Sequence, residues 1–360
     1  MTSLFDELTF TRGPSMKNRF MLAPLTNQQS HQDGTLSDDE FTWLTMRAKG
    51  GFGLTMTCAA HVQPEGQGFP GQLAASEDRH LEGLTRLARE IKKHGSISNV
   101  QLYHGGFRCP PDVIGMQQMG PSEDEESGSR AMTTMEVQAA IQKFIEAAER
   151  CEKAGFEGVE LHGAHSYLIC QFLSPDLNKR ADQYGGSAAN RSRFLKEIIA
   201  GIRSHCGEDF QLGVRLSPER MGVYLQDMID LATELMASGD IDFLDMSLWD
   251  CFKDPAEEAF KSKPLIDWFT EIPRHNARLV VAGNIRTPDD AERVLAMGVD
   301  SVMLGRVAII HHNYPNLLAA NAKFQPIEHP VPRSHLLAEG VSASFVDYLS
   351  GMGRFGINSE

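Results

Sequence analysis

The chain is poor in cysteine, and its cysteines are too far apart for a metal site. Six cysteines are spread over 360 residues, with no pair at the close spacing of zinc or iron–sulfur ligands. We therefore expect free thiols, as in an intracellular protein, and no bound metal. The six are Cys58, Cys109, Cys151, Cys170, Cys206 and Cys251.

An excess of positive charge and long apolar runs are also missing. The formal net charge is -14, which argues against nucleic acids and anionic membranes as partners, because both attract basic patches. The amino terminus, MTSLFDELTF, has neither a basic leader nor an apolar core, and no apolar run approaches the length of a membrane span. We expect a cytoplasmic protein.

What the chain does contain is an alternation of short apolar segments with amphipathic ones. Hydrophobic residues make up 41% of the chain, which is enough for a large core. The apolar segments predict strands that begin near Phe20, Phe52, Ile97, Gly158, Gln211, Ile241, Leu279 and Ser301. The amphipathic segments predict helices at Ser37 to Lys49, Glu77 to His94, Thr134 to Ala154, Ser192 to Cys206, Gln226 to Ser238 and Pro288 to Met297. Ser37 with Glu40 has the form of a capping box, and Thr134 with Val137 does not.

Eight strand and helix units predict a closed (β/α)8 TIM barrel of the α/β class, in a single domain over residues 1–360. An open doubly wound sheet is the competing architecture, but no glycine-rich dinucleotide loop follows the first strand. Residues 107–132 are acidic, proline-rich and aperiodic, which indicates a flap inserted after the third strand, at the mouth of an active site. The chain is less regular after Tyr314, and residues 315–360 are expected to form a C-terminal extension.

The fourth strand ends in residues that carry chemistry. Its apolar run leads directly into His162, His165 and Tyr167. Because ligands of α/β folds lie beyond the carboxyl ends of the strands, these side chains are candidates for catalysis. Two imidazoles this close in sequence can donate hydrogen bonds to one ligand oxygen, and the phenol can supply a proton.

Other strands also end in small or polar residues, and all strands of a barrel point their carboxyl ends to one face. These residues are Ala23, Pro24, Leu25 and Thr26 after the first strand, Ala59 on the second, Gln101 on the third, Arg215 on the fifth, Gly283 and Asn284 after the seventh, and Gly305 and Arg306 after the eighth. The glycines after the last two strands, with Arg306 beside them, predict a phosphate site. A simple turn at Gly283 and a solvated Arg306 are the alternatives.

The motif at His162 is the beginning of a longer ordered pattern. His162-Gly-Ala-His165-Ser-Tyr167 is followed by Gln171-Phe-Leu-Ser-Pro175, Asn178, Arg180, Asp182, Tyr184-Gly-Gly-Ser187 and Asn190-Arg191. This pattern resembles that of the old yellow enzyme family of flavin-dependent ene-reductases, and with the other strand ends the resemblance covers Asn18 to about Asn313. For residues 174–191 alone, the alternative is a well-packed loop that leads into the next helix.

The resemblance implies tightly bound flavin mononucleotide (FMN), with NADH or NADPH as a transient reductant. Ala23, Pro24, Leu25 and Thr26 would lie against the flavin ring, Ala59 would line it, Gln101 would bond its pyrimidine part, and His162 would border it. Arg215 would stabilise negative charge on the reduced ring. Gly283, Asn284, Gly305 and Arg306 would hold the phosphate.

The resemblance further implies reduction of the activated C=C bond of α,β-unsaturated carbonyl or nitro compounds. His162 and His165 would bind the carbonyl or nitro oxygen, and Tyr167 would protonate the α-carbon, unless it is only a packed aromatic. Larger relatives carry an iron–sulfur cluster on closely spaced cysteines, which this chain lacks. Relatives are often dimers or tetramers, which leaves room for a homo-oligomer.

Two other kinds of function stay open. Related flavin barrels include amine dehydrogenases and tRNA dihydrouridine synthases, and a flavin-free barrel could bind a sugar phosphate. The missing cluster cysteines argue against an amine dehydrogenase, and the net acidity argues against a tRNA dihydrouridine synthase. Weaker candidates for site residues near the strand ends are Tyr103, His104, His31, His61 and Trp249. The adjacent pair His311-His312 resembles a metal site only superficially, because neighbouring side chains point apart.

Overall fold

The structure is a computed structural model that describes residues 2–352 and 355–358. Eight parallel strands close into a barrel, and their order around it follows their order in the chain. The strands are Phe20–Leu22, Leu54–His61, Ile97–Tyr103, Gly158–Gly163, Gln211–Leu216, Phe243–Ser247, Arg278–Ala282 and Ser301–Leu304. The predicted (β/α)8 barrel is confirmed, and every predicted strand begins within about two residues of its observed start.

Helices connect the strands, as the amphipathic segments predict. The connecting helices are Asp38–Lys49, Leu81–Lys93, Thr134–Lys153, Arg193–His205, Leu225–Ser238, Asp267–Thr270, Pro288–Ala296 and Arg306–Ile310. Each longer helix buries one apolar face; in the second, Leu84, Leu87, Ala88 and Ile91 recur at helical spacing and are all buried. The short helix Asp267–Thr270 has no counterpart among the predicted helices, because it is too brief to show a period.

Both predictions about capping boxes are wrong. The N-cap of the third helix is Thr133, not Thr134, and Thr133 forms a reciprocal capping box with Glu136. Ser37 accepts a hydrogen bond from the backbone N–H of Glu40, but the buried Glu40 side chain bonds to the preceding loop rather than back to Ser37. Sequence spacing alone does not reveal this tertiary competition for a side chain.

The segment 107–132 lies between the third strand and the following helix, and it is more ordered than its composition suggests. It contains the helix Pro111–Ile114 and a parallel pair of short strands, Met119–Gly120 and Arg130–Ala131. A 3-10 turn, Gly106–Arg108, leads into it. The Ser122 hydroxyl accepts a hydrogen bond of 2.7 Å from the backbone of Lys179, so the segment packs on the chain that follows the fourth strand.

The chain after Tyr314 is also more regular than expected. It forms the helices Tyr314–Ala320, Arg333–Ala338 and Ala343–Gly351 and the paired strands Val331–Pro332 and Ile357–Asn358. The remaining short elements are the helices Leu168–Leu173 and Ala188–Arg191 and the 3-10 turns Pro64–Gly66, Asp78–His80 and Glu258–Phe260. Among the described residues, no helix has the length and apolar character needed to cross a membrane.

Candidate functional site

The three predicted catalytic residues form one cluster at the carboxyl end of the barrel. His162 lies on the fourth strand, and a tight turn follows in which His165 and Ser166 have φ angles of 61° and 56°. Non-glycine residues rarely adopt this left-handed region, so the turn is held against a conformational cost. It brings the His162 ring centroid within 5.1 Å of that of His165 and within 4.9 Å of that of Tyr167.

The His162 imidazole is neutral and offers one N–H to a ligand. Its Nδ1 accepts a hydrogen bond of 3.3 Å from the backbone of Ala164, which assigns the proton to Nε2. Burial, followed by the nearby His165 and the charge of Arg215, lowers the pKa of His162 well below its ordinary value. His162 is therefore a hydrogen-bond donor rather than a cation at neutral pH.

His165 is held by a relay of hydrogen bonds from the fifth and sixth strands. Its Nε2 lies 2.8 Å from the hydroxyl of Ser247, which itself accepts from Arg215 at 3.4 Å. With Ser247 donating to Nε2, the imidazole proton lies on Nδ1. Burial, then the charges of Arg215 and Arg108, lowers the pKa of His165 to about 3, so this ring is neutral as well.

Tyr167 lies between a cation and a second tyrosine. The guanidinium of Arg108 lies 4.7 Å from the centre of the Tyr167 ring, and it also donates a 2.6 Å hydrogen bond to the carbonyl of His165. The Tyr103 ring is 4.5 Å from that of Tyr167. Arg108 therefore ties the start of the 107–132 segment to the cluster.

The predicted polar residues of the third and fifth strands both lie against buried carboxyl groups, Gln101 through a hydrogen bond and Arg215 through an ion pair that lacks hydrogen-bond alignment. Gln101 donates a 2.7 Å hydrogen bond from Nε2 to Oε1 of Glu160, and Nε of Arg215 lies 3.0 Å from Oδ2 of Asp245. Sequence reasoning missed both carboxylates and treated Arg215 as an isolated cation. Charged residues inside otherwise apolar strands were the available signal, because Glu160 and His162 share one face of their strand by its two-residue period.

Small side chains lie at the ends of the first and second strands. Ala23 and Ala59 are 6% and 8% exposed, and Pro24, Leu25 and Thr26 follow as half-buried residues. The Thr26 hydroxyl has no hydrogen-bond partner among the described residues. Small side chains at these strand ends would let a flat ring approach the backbone closely, and the Thr26 hydroxyl could bond it.

The ends of the seventh and eighth strands form a positively charged recess. Arg286 and Arg306 bond the same Oδ1 of Asn284, at 2.8 and 3.1 Å, and neither forms an ion pair with a described carboxylate. Burial, then the charge of Arg286, lowers the pKa of Arg306. Two cations that converge on one amide oxygen favour a bound anion. Arg286 was not predicted, although it follows Asn284 by only two residues.

The backbone around this recess also suits a phosphate. No described residue accepts a hydrogen bond from the N–H groups of Asn284, Gly305 or Arg306. A Cβ on Gly283 would lie 2.9 Å from the backbone of the loop at Trp249 and Asp250, so only glycine allows this close approach. The free backbone N–H groups and the two arginines suit the phosphate of a flavin nucleotide, and the small side chains of the first and second strands suit its ring.

Several residues of the long motif have structural rather than site contacts. Asn178 donates from Nδ2 to the carbonyls of Phe172 and Tyr184 at 2.8 and 2.7 Å, and Arg191 donates from Nε to Leu173 at 3.0 Å. These bonds close the loop upon itself. They favour the packed-loop interpretation of residues 174–191.

The weaker site candidates from the sequence lie partly at the site and partly elsewhere in the fold. Tyr103 borders the cluster, and Trp249 is 55% exposed with its ring 6.1 Å from that of His165. His104 is buried, and its Nδ1 accepts from Gly106. The six cysteines are free thiols, as predicted.

One group outside the site has the composition of a metal site. Ligand atoms of His311, His335 and Glu339 lie within 4.8 Å of one another. His335 bonds the carbonyl of Ile310 at 2.7 Å, and Glu339 accepts from His312 at 2.6 Å. These contacts already tie the C-terminal extension to the barrel, and we assign no metal to them.

Comparisons with known proteins agree with this geometry. Residues 3–324 match the model of the NADH:flavin oxidoreductase / NADH oxidase family. The protein named "Probable NADH-dependent flavin oxidoreductase YqiG" of Bacillus subtilis is 36% identical over 321 residues, which cover 86% of each chain. An NADH:acrylate oxidoreductase of Vibrio harveyi is 31% identical over 332 residues, covering 88% of this chain and 33% of that protein. The solved old yellow enzyme homologue from Zymomonas mobilis has a TM-score of 0.80 and 26% identity, over 96% of this chain and 99% of that one.

Proposed function

The chain belongs to the NADH:flavin oxidoreductase / NADH oxidase family, and from that membership we propose that it reduces the C=C bond of α,β-unsaturated carbonyl or nitro compounds. It is an NAD(P)H-dependent flavin oxidoreductase of the old yellow enzyme type, with FMN as cofactor. The Vibrio harveyi relative is named for acrylate, an alkene conjugated to a carboxyl group. That name supports an electron-poor alkene as the substrate class.

The observation that carries the proposal is the cluster of His162, His165 and Tyr167. Two neutral imidazoles, each with one N–H free of protein acceptors, suit a carbonyl or nitro oxygen that gains negative charge during reduction. Because the rings are neutral, they can donate hydrogen bonds to an uncharged oxygen without placing a full positive charge beside it. The phenol of Tyr167 is within reach of the same ligand and carries the remaining proton.

Bound FMN would supply the hydride chemistry between NAD(P)H and the alkene. The chain's own residues would hold this cofactor through Arg286 and Arg306 at its phosphate, Gln101 and Arg215 at the polar edge of its ring, and the alanines against its face. His162 and His165 would orient the alkene by its oxygen, and Tyr167 would deliver a proton to the α-carbon.

The proposal is tested by separating the two half-reactions. The purified protein should absorb in the yellow-flavin region, lose that absorbance under anaerobic NADH or NADPH, and regain it on addition of a cyclic enone or a nitroalkene. Reoxidation by none of a panel of enones, nitroalkenes and acrylate, with flavin reduction intact, would refute the alkene assignment. It would leave the membership of the family untouched.

Arg306→Ala is expected to weaken FMN binding by about 10-fold to 100-fold, because one of the two cations that converge on Asn284 is removed, and with it a charge-assisted hydrogen bond to the phosphate. Titration of the apoprotein with FMN, followed by fluorescence quenching, measures the change. Arg79→Ala removes the same charge from an exposed pair with Glu77 and serves as the matched control. Equal affinity of native protein and Arg306→Ala would remove Arg306 from the phosphate site.

The rate of reoxidation by an enone is expected to show no step between about pH 5 and about pH 8 that belongs to the histidine pair. The pKa values of His162 and His165 are lowered, so both rings stay in the neutral, donating form as the pH falls through the ordinary imidazole range. Stopped-flow measurement of reoxidation across this range tests the point. A step near the ordinary imidazole pKa that vanishes in the alanine variants would contradict it.

A further inference from the structure

A buried carboxyl group beneath the site has no part in the reaction described above. Glu160 lies on the fourth strand, two residues before His162, and is fully buried. Its Oε1 accepts the hydrogen bond of Gln101, and its Oε2 has no hydrogen-bond partner among the described residues. A carboxyl group at this depth is costly unless it is paired or neutral, so its protonation state is a structural question.

The charges that face Glu160 come from three neighbouring strands. Gln101 on the third strand is neutral, Arg215 on the fifth is cationic, and Asp245 on the sixth is a second fully buried carboxyl group. Because both imidazoles of the site are neutral, two carboxyl groups share a single guanidinium. With both ionised, the barrel interior would hold an uncompensated negative charge, and with one proton retained it is neutral.

The geometry decides which carboxyl group keeps the proton. Asp245 has its Oδ2 at 3.0 Å from Nε of Arg215, whereas Glu160 has only the neutral amide of Gln101 as a partner. The ionised form is stabilised beside a cation, so Asp245 carries the charge. Burial raises the pKa of both carboxyl groups, but the charge of Asp245 raises that of Glu160 further, whereas Arg215 lowers that of Asp245, in agreement with this assignment.

We infer that Glu160 is a protonated positioning residue: it fixes the amide of Gln101 for the cofactor and leaves the Arg215–Asp245 pair without a second negative charge. Because Nε2 of Gln101 is committed to Glu160, the orientation of its amide is set, and its carbonyl oxygen is left for the ring. An ionised carboxylate here would oppose the negative charge that reduction places on the cofactor. The inference rests on the proposed contacts of Gln101 and Arg215 with FMN.

The test compares Glu160→Gln, Glu160→Leu and Gln101→Ala in the holoenzyme, with Glu197→Gln as a control for neutralising a carboxylate remote from the site, where it bonds Tyr184. Glutamine mimics the protonated acid and keeps the acceptor for Gln101. We expect Glu160→Gln to retain FMN affinity within about twofold and the flavin midpoint potential near neutral pH, while Glu160→Leu weakens FMN by roughly fivefold to tenfold through the loss of one hydrogen bond.

The pH dependence of the midpoint potential gives a readout that packing alone would not change. As the pH rises from about 6 to about 9.5, Glu160 loses its proton in the native enzyme, so the native potential should fall below that of Glu160→Gln. A higher potential of Glu160→Gln already near neutral pH would mean that Glu160 is ionised, and would overturn the inference. This measurement decides the matter even where Glu160→Leu folds poorly.

The variants also separate two kinds of failure. If Gln101→Ala weakens FMN binding but Glu160→Leu does not, the positioning role is wrong and the proposed cofactor contacts stand. If Gln101→Ala binds FMN as tightly as the native protein, then the contact itself is wrong, and the inference falls with it. A native potential that lies below that of Glu160→Gln by the same amount across the whole pH range would likewise mean an ionised Glu160 and overturn the protonated state.

Discussion

Replacing both His162 and His165 by alanine is expected to lower kcat/KM for a cyclic enone by about 1000-fold, since the loss of one donor to a developing oxyanion typically costs about 100-fold to 1000-fold. FMN should stay bound, because Arg306, Arg286 and Gln101 are unaffected. Each imidazole has one ring nitrogen without a protein partner, and the proposed function has both rings donate to the same substrate oxygen. Steady-state kinetics with saturating NAD(P)H and varied enone measures the effect.

The control for the histidine pair is His205→Ala, which removes an exposed imidazole that bonds only the Gly201 carbonyl. Its kinetics should match those of the native enzyme. A spectroscopic titration with a phenol, a substrate-like ligand that presents one oxygen, adds an equilibrium readout. Unchanged enone turnover in the double variant, with flavin bound, would exclude the two histidines from substrate binding.

Tyr167→Phe is expected to slow reoxidation of the reduced enzyme by an enone by about 100-fold, at the lower end of what a positioned general acid contributes. Reduction by NAD(P)H needs no such proton and should keep its native rate. The phenol is a candidate for this role because its ring lies in one cluster with those of His162 and His165. Stopped-flow traces of the two half-reactions give the two rates separately.

To distinguish a chemical role of Tyr167 from a packing role, the rates of reduction and reoxidation are compared within the Tyr167→Phe variant. Equal slowing of reduction and reoxidation would show that Tyr167 only packs against Tyr103 and His162. Tyr224→Phe, in which an exposed hydroxyl that bonds Asp176 is removed, should leave both rates unchanged.

The barrel itself was accessible from sequence because it depends on local patterns. Strands buried on both sides read as short apolar runs, and the helices between them carry one apolar stripe, so both periods survive in the linear order of residues. The helix caps and the regular structure of residues 315–360 were harder to predict from the sequence. There the side chains choose partners across the fold, as Glu40 does when it leaves its own helix start.

The site divides in the same way. His162, His165, Tyr167 and Gly283 were predicted from sequence because each lies at or just after the carboxyl end of a strand, and the carboxyl ends of all strands of a barrel meet. Glu160, Asp245 and Ser247 were not found, because each lies within a strand and becomes part of the site only through its neighbours across the sheet. Arg108 was missed for a related reason, since it reaches Tyr167 from a different loop.

The sequence by itself determined the barrel, the carboxyl-end face and the types of residue displayed there, because these follow from periodicity and from the order of elements along the chain. Only the tertiary structure decided the protonation and pairing of those residues. It showed the histidines as neutral donors, Arg215 as half of an ion pair, and Glu160 beside Gln101. Burial and the distance between charges set these states, and both are properties of the folded chain.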